Sequence, residues 1–419
     1  MMANKYKSVK GTKDLLPSES SRYRNLEGVI HGTMELWGYG EIRTPVFEDS
    51  ALFSRSVGEE SDIVTKQMYT FLDQSKNSLT LKPELTAPVM RAYLQHNLSR
   101  QGAMTKLYYF DSLFRQERPQ AGRLRQFRQF GAEAIGSPYP EQDAEIIALV
   151  TKILDQLGLK NTTLHLNSIG SKESRKNYLK VLIEYLNDQN AQLSELSQNR
   201  LKMNPFRILD SKHPNDQKII KDAPNILEHL SSEDIGHYDS VKDHLDMLKI
   251  EYIETPTLVR GLDYYTRTTF EITSPNVGAQ SAICGGGRYD DLIEDLGGPS
   301  TPAVGFAAGV ERILLALQQD KSTVENNSII YIAAASDYAR NRIFTLAEKL
   351  RADNVPVEFD TLRRSLKAQM RDANRIGAGK AVIIGDEELK NNSAVVKYLY
   401  SGEQKKVSID ELSNYLLNG

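Results

Sequence analysis

Between Lys106 and Ile135 the sequence KLYYFDSLFRQERPQAGRLRQFRQFGAEAI puts ionisable residues where a strand should be apolar. Two β-type runs flank a short loop with Pro119 and Gly122, which predicts an antiparallel hairpin with a long basic tip. Residues two apart share a strand face, so Leu113, Arg115 and Glu117 fall together in the first arm, and Arg125, Gln129 and Glu133 in the second. Gly131 lies between Gln129 and Glu133 and predicts a hollow where a small polar ligand fits between an amide and a carboxylate. The competing reading is a solvated, salt-bridged face, which antiparallel sheets often show to water. Two features weigh against it. Tyr108, Phe110, Phe114, Phe130, Ala132 and Ala134 already give the opposite face a packing side. The charged face carries arginine with no lysine, and planar arginine forks suit bidentate recognition of phosphate or carboxylate.

Other segments carry similar tension between structure and chemistry. In SLTLKPELTAPVMRAYLQHNL (78–98), Thr86 reads as a helix N-cap ahead of Pro88. Glu84 stands two residues earlier in the strand-to-helix connection, where a carboxylate and a hydroxyl could together hold an ammonium group. The run Gly285-Gly286-Gly287 lacks the GK[ST] of a phosphate loop and instead predicts close backbone approach to a flat ligand or a facing strand. Gly305 and Gly309 precede Glu311-Arg312 at the start of an apolar helix, a first turn where a bound anion is favoured.

The elements that must hold these groups can be read from the same chain. A helix is predicted over Ser18–Trp37, then a strand at 41–47 interrupted by Pro45, which suits a sheet edge. After the hairpin come a helix at Gln142–Leu157 and a strand at 164–170. Residues 171–250 shift to polar helices, NPFRILDSK (204–212) among them, and read as an insertion that packs or touches nucleic acid, with no chemistry of its own. The core pattern returns at TLVRGLDYYTRTTFEI (257–272). From residue 328 strands and helices alternate, a compact α/β unit after a linker at Thr323–Asn327.

Composition narrows the class. The chain has 419 residues, 40% hydrophobic and 26% charged, with a net charge of −3, so a polyanion would have to be met by a local patch. The single cysteine, Cys284, excludes an internal disulfide and a Cys-rich zinc site. The seven histidines form no HxxxH or HExxH pattern, so no protein-held metal is expected. No stretch approaches the ~18 apolar residues of a spanning helix, and the N-terminus has no apolar signal-like run. A cytoplasmic protein with no membrane or DNA partner is expected.

Taken together, these residues resemble the class II aminoacyl-tRNA synthetases, and most nearly the histidyl-tRNA synthetases. The resemblance spans nearly the whole chain. A helix-strand unit ending at Pro45, the FRQE hairpin (114–117) closing at Glu133, and GFAAGVER (305–312) occur in the class order. RGLDYY (260–265), GGGRYD (285–290) and NPFRILDSK are similar to segments peculiar to the histidine enzymes. The resemblance implies an α+β catalytic domain on an antiparallel sheet, in parts 1–170 and 251–325, with a helical insertion at 171–250 and a C-terminal α/β anticodon-binding domain at 328–419.

The implied activity is activation of L-histidine with ATP to histidyl-adenylate, releasing pyrophosphate, then transfer of histidine to the 3′ end of tRNA(His). By matching position, Glu84, Thr86 and Gln129 would hold the ammonium group, Glu133 and Tyr265 would read the imidazole nitrogens, and Tyr289 would line the pocket. Arg115, Arg125 and Arg312 would grip the ATP phosphates, with Arg260 at the α-phosphate; Arg115 and Arg260 are the catalytic candidates. Arg118, Gln120 and Arg123 would meet the tRNA acceptor end. Mg2+ would come with ATP, and a homodimer is expected. Leu85 departs from the glycine that bacterial members commonly carry there, which implies a backbone that runs differently. The alternative is a non-catalytic histidine-sensing regulatory subunit of ATP phosphoribosyltransferase; such relatives tend to lose the phosphate arginines and the C-terminal domain.

Overall fold

The computed structural model describes residues 6–58, 61, 63–260, 262–278, 281–319 and 329–418. The chain divides into two compact units, Met1–Lys321 and Ser322–Gly419. The linker expected at 323–327 lies outside the described residues, as does Gly261.

The first unit is organised by an eight-stranded sheet in the order Gly40–Glu41, Thr105–Phe114, Gln126–Ile135, Ala303–Gly309, Ala282–Arg288, Thr266–Thr273, Thr163–Ser168, Ile253–Glu254. The two short outermost strands pair in parallel, and every other neighbour is antiparallel. The predicted hairpin is its longest pairing, in unbroken register from Thr105↔Ile135 to Phe114↔Gln126. Pro45 divides the predicted 41–47 strand. Gly40–Glu41 joins the large sheet, while Phe47–Asp49 pairs with Ser78–Leu81 in a separate three-stranded sheet, because proline has no N–H to continue one ladder into the next.

Alternation along the strands gives the sheet two different faces. On one, Tyr108, Phe130, Ala132, Ala134, Phe270, Val304 and Phe306 pack under Ile146, Leu149 and Ile153 of the helix Pro140–Gln156 and under Leu26 and Ile30 of Pro17–Leu36. On the other, Tyr109, Leu113, Tyr265 and Tyr289 share a second core with Tyr178, Leu182, Phe206 and Ile208 of the helical stretch. Every regular element of that stretch from Lys172 to Met247 is helical, and its last helix, Ser232–Met247, places Tyr238, Val241 and Leu245 in the first core. Among the described residues no helix is long and apolar enough to cross a membrane.

The second unit has a five-stranded sheet in the order Val357–Phe359, Ile330–Ala334, Lys380–Ile384, Ser393–Tyr398, Gln404–Ser408, its first three strands parallel. Every residue of Ile330–Ala334 is buried, as expected of a central parallel strand covered on both faces.

One buried ion pair pins the sheet to its helices. Arg288, at a strand end, and Asp143, in the first turn of Pro140–Gln156, have no exposed side-chain surface. The guanidinium donates through Nε to Asp143 Oδ2 at 3.0 Å and through Nη1 to the Ser137 carbonyl at 2.8 Å and to Asp290 Oδ1 at 3.0 Å. Burial works to raise the Asp143 pKa, but the adjoining Arg288 charge and hydrogen bonds from His237 and Arg288 prevail and hold it at about 2. Removing one partner strands the other charge. Arg288→Met should therefore destabilise the chain by about 3–5 kcal/mol in chemical denaturation, and Arg288→Met with Asp143→Leu should recover much of that loss. A double variant as unstable as the single would show that the guanidinium's carbonyl contacts, rather than the charge pair, carry the stability.

Candidate active site

A cavity of about 740 Å³ opens on the second face of the sheet. The strand-to-helix connection contributes Glu84, Leu85 and Thr86, and the hairpin contributes Arg115, Glu117, Arg123, Phe127 and Gln129. Arg260, Tyr264, Tyr265, Glu271, Gly285, Tyr289, Gly305 and Arg312 complete the floor and walls, and Arg200, Arg207 and Lys212 reach it from the helical stretch.

One end is built from carboxylates and hydroxyls. Glu84 is buried and accepts hydrogen bonds from the backbone N–H of Thr86, at 2.8 Å, and of Ala87, at 3.0 Å. It therefore caps the helix Thr86–Gln95, which frees the Thr86 hydroxyl from the capping role its position suggested. That hydroxyl donates to Glu133 Oε1 at 2.9 Å. Glu133 also accepts from the Tyr109 hydroxyl, at 3.1 Å, and from Tyr289. Burial in this setting pushes Glu84 up to about 7 and Glu133 up to about 8, with the Glu84 charge also opposing ionisation of Glu133. The rings of Tyr264, Tyr265 and Tyr289 enclose this end, with centroids 4.7 Å apart for the first two and 5.4 Å for Tyr264 and Tyr289. Burial raises the Tyr265 phenol to about 12, against the pull of the Arg260 charge.

The other end is crowded with arginines. Arg115 donates through Nε to the Pro83 carbonyl at 2.8 Å and lies 5.3 Å over the Phe127 ring. Arg123 stands 3.4 Å from Glu117, and Arg312 donates to the Ala282 carbonyl at 2.6 Å. Burial lowers the pKa of Arg115 and of Arg312, and the charge of Arg123 beside each lowers it further. Mutual repulsion of this kind is relieved by an anion, and phosphate is the anion that arginine forks fit best. Arg260 pairs with Glu271 on the next strand. Among the described residues no group of three His, Cys, Asp or Glu side chains is placed to hold a metal ion.

Bare backbone makes room for two of these charges. A Cβ at Gly305 would overlap the Glu133 carboxylate, and one at Gly285 would overlap the Arg260 guanidinium. The third such glycine departs from expectation. Gly131 faces Tyr109 across the hairpin, and the phenol folds into the space a Cβ would occupy, so the predicted hollow is filled by a tyrosine rather than open to a ligand.

Of the residues singled out from sequence, Glu84, Thr86, Arg115, Arg123, Gln129, Arg260, Tyr265, Tyr289 and Arg312 line one cavity. Glu133 lies just beneath, behind the hydroxyls of Thr86 and Tyr289. Arg125 does not line it. Its side chain lies against Gly11 and donates through Nε to the Glu117 carbonyl at 3.4 Å, while its backbone N–H bonds the Gly11 carbonyl at 2.7 Å. Arg118 and Gln120 are exposed at the hairpin tip, whereas Arg123, expected with them, faces the arginine cluster. Leu85 has φ −116° and ψ −18°, an ordinary right-handed conformation, and its buried side chain packs in the second core, so nothing there requires glycine. Sequence reasoning missed Tyr109, Tyr264, Glu271 and the basic residues of the helical stretch. Tyr264 stood inside RGLDYY and could have been found there; the others carried no local signal.

The family model described as histidyl-tRNA synthetase matches residues 11–313, and the one described as anticodon binding domain matches residues 328–419. A protein named histidine--tRNA ligase from Chloroherpeton thalassium is 48% identical over 409 residues, 96% of each chain. Another of that name from Thermoanaerobacter sp. is 46% identical over 414 residues, 98% of this chain and 99% of the other. Among solved structures, apo S. aureus histidyl-tRNA synthetase superposes with a TM-score of 0.82 at 38% identity, covering 98% of this chain and 99% of the other.

The two raised carboxyls make stability depend on pH. Between their ordinary value of 4.5 and about 7 to 8, the folded chain holds protons that the unfolded chain has released. This contribution is full below pH 4.5 and is lost as pH rises through 7 and 8. Urea denaturation should find the native chain losing more stability between pH 6 and 8.5 than Glu133→Gln, which keeps a neutral side chain throughout. Equal losses in the two proteins would mean that Glu133 ionises as an ordinary carboxylate.

Proposed function

The chain belongs to the histidyl-tRNA synthetase family, and from that premise we propose how its cavity divides the work of amino-acid activation between its two ends. The protein is a histidine–tRNA ligase: it joins L-histidine to ATP as histidyl-adenylate, releases pyrophosphate, and transfers histidine to the 3′ end of tRNA(His). The observation that carries the division is the opposition, within one cavity, of a carboxylate–hydroxyl end to a cluster of arginines.

At the first end, Glu84, Thr86 and Gln129 hold the ammonium group. Glu133 and Tyr265 serve the imidazole, whose N–H joins or replaces one of the hydroxyls now donating to Glu133, while Tyr289 and Tyr264 wall the ring. A site that supplies both an acceptor and a donor rejects side chains that cannot satisfy both, because a buried group would be left unpaired. At the second end, Arg115, Arg123 and Arg312 hold the phosphate chain, and Arg260 stands between the ends, where the histidine carboxylate meets the α-phosphate. The carboxylate oxygen attacks that phosphorus as the bond to pyrophosphate breaks. No side-chain nucleophile is needed, and the protein's contribution is placement together with neutralisation of charge that grows on phosphate oxygens. Mg2+ enters with ATP as part of that substrate. Arg118 and Gln120, exposed at the hairpin tip, meet the tRNA acceptor end, and residues 328–419 read the anticodon. The working place of the enzyme is the cytoplasm.

A homodimer is the proposed assembly. Its support is the exposed apolar surface of the three-stranded sheet, where Val46, Phe47, Phe71 and Leu72 face solvent and the rings of Phe47 and Phe71, on its two outer strands, meet edge to face at 6.4 Å. Sedimentation equilibrium should give a dimer of this 47.2 kDa chain that Phe47→Asp with Phe71→Asp dissociates; a native monomer at micromolar concentration removes the assembly.

Arg260 tests the division of labour. A guanidinium at the α-phosphate gains strength as the transition state adds charge, so Arg260→Ala should cut histidine-dependent ATP–pyrophosphate exchange about 100-fold while histidine affinity stays within a few-fold. Arg260→Lys should rescue only in part, since a point charge does not reproduce a planar fork. Equal loss of rate and affinity would make Arg260 a wall of the pocket. A native chain that binds histidine and shows no exchange would favour the sensor.

A further inference from the structure

We propose that the helical stretch acts in amino-acid activation as a positioning clamp, holding the segment Leu262–Tyr265 through Arg175, Asn204 and Arg207. The proposal rests on the reading of Tyr264 and Tyr265 as walls of the histidine end and assigns them a support that neither motif nor family match provides.

The clamp has two parts. Arg175, on the helix Lys172–Asp188, donates from one nitrogen to the Tyr265 carbonyl at 2.9 Å and to the Asp263 carbonyl at 3.4 Å. Those carbonyls flank Tyr264, so a single guanidinium fixes the backbone on both sides of a ring that faces the cavity. Arg175 is itself held 5.4 Å over the Phe206 ring, which packs on Tyr178. The second part grips the Asp263 side chain. Asn204 Nδ2 donates to its Oδ1 at 3.0 Å, Arg207 Nη2 stands 3.6 Å from the same oxygen, and Oδ2 lies over Gly58, where a Cβ would crowd it.

A lobe that only packed would meet the sheet through apolar surface. Here two arginines and an amide converge on Asp263 and Tyr265, on either side of Tyr264, and satisfy backbone carbonyls that no strand partner reaches, since the neighbouring strand begins at Thr266. The segment NPFRILDSK thereby acquires a role: Asn204 and Arg207 hold Asp263, and Phe206 seats Arg175. Arg175, Asn204 and Arg207 are positioning residues, acting on substrate through Tyr264 and Tyr265.

The test uses the full chain. In hydrogen exchange, Asn204→Ala and Arg175→Met should each raise exchange of the Leu262–Tyr265 amides about tenfold, the scale of one lost hydrogen bond to a charged or buried group. In ATP–pyrophosphate exchange, the same variants should raise the histidine requirement about tenfold and leave the ATP requirement within about threefold. Arg175→Lys, which keeps the charge and one donor, should recover part of both effects. If Arg175→Met does not fold, Asn204→Ala alone decides, since it removes one side-chain contact and no charge. Unchanged amide protection overturns the clamp, and so do histidine and ATP requirements that rise together. Amide exchange needs no ligase activity, so a native chain inactive in exchange would refute the functional reading while leaving the clamp to be judged by protection.

Discussion

The site depends on laying charged side chains flat against a sheet, which an ordinary strand forbids because its Cβ atoms stand in the way. Gly285 and Gly305, on neighbouring antiparallel strands, remove that obstacle for the Arg260 guanidinium and the Glu133 carboxylate. Once flat, Glu133 is buried and Arg260 is left only partly exposed in the cavity wall, and both take protein partners. Arg260 takes Glu271 from the adjoining strand, and Glu133 takes the hydroxyls of Thr86, Tyr109 and Tyr289.

From this follows the opposition of the two ends. Glu133 is met only by neutral donors and is pushed toward its protonated form, so an incoming N–H or cation is favoured there. Arg115, Arg123 and Arg312 are gathered closely enough that, beyond burial, their charges lower the pKa of Arg115 and of Arg312 despite the carboxylates of Glu84, Glu117 and Glu271, so an anion is favoured at theirs. The two preferences oppose each other within one cavity, so a ligand with a cation at one end and an anion at the other would be oriented by them before any bond changes.

The rest of the first unit keeps that arrangement rigid. The sheet face away from the cavity is a plain hydrophobic core, and Arg288 with Asp143 ties the strand that carries the glycines to the helix layer. On the cavity face, the helical stretch supplies the second core and the contacts to Leu262–Tyr265. The hydroxyls that meet Glu133 therefore come from sequence positions as distant as Thr86, Tyr109 and Tyr289.

Sequence alone determined the hairpin, its polar face, the order of the class motifs and the two-unit plan, because period-two alternation, turn residues and short motifs are local and survive without neighbours. Of the nine cavity positions, Arg115 and Gln129 stood out in the strand pattern, Glu84 and Thr86 in the strand-to-helix connection and Arg312 in a glycine-flanked first turn, while Arg123, Arg260, Tyr265 and Tyr289 came from the family resemblance. The tertiary structure decided what each could touch. It filled the Gly131 hollow with Tyr109, set Arg125 against Gly11 and the Glu117 carbonyl while placing Arg123 on the cavity, gave the helix-capping task to Glu84 and released Thr86 to Glu133, and set Arg175 and Asn204 against Asp263. Each of these is a contact between segments far apart in the chain or a choice between two nearby side chains, and its outcome is fixed by strand register and packing, which no local pattern of residues encodes.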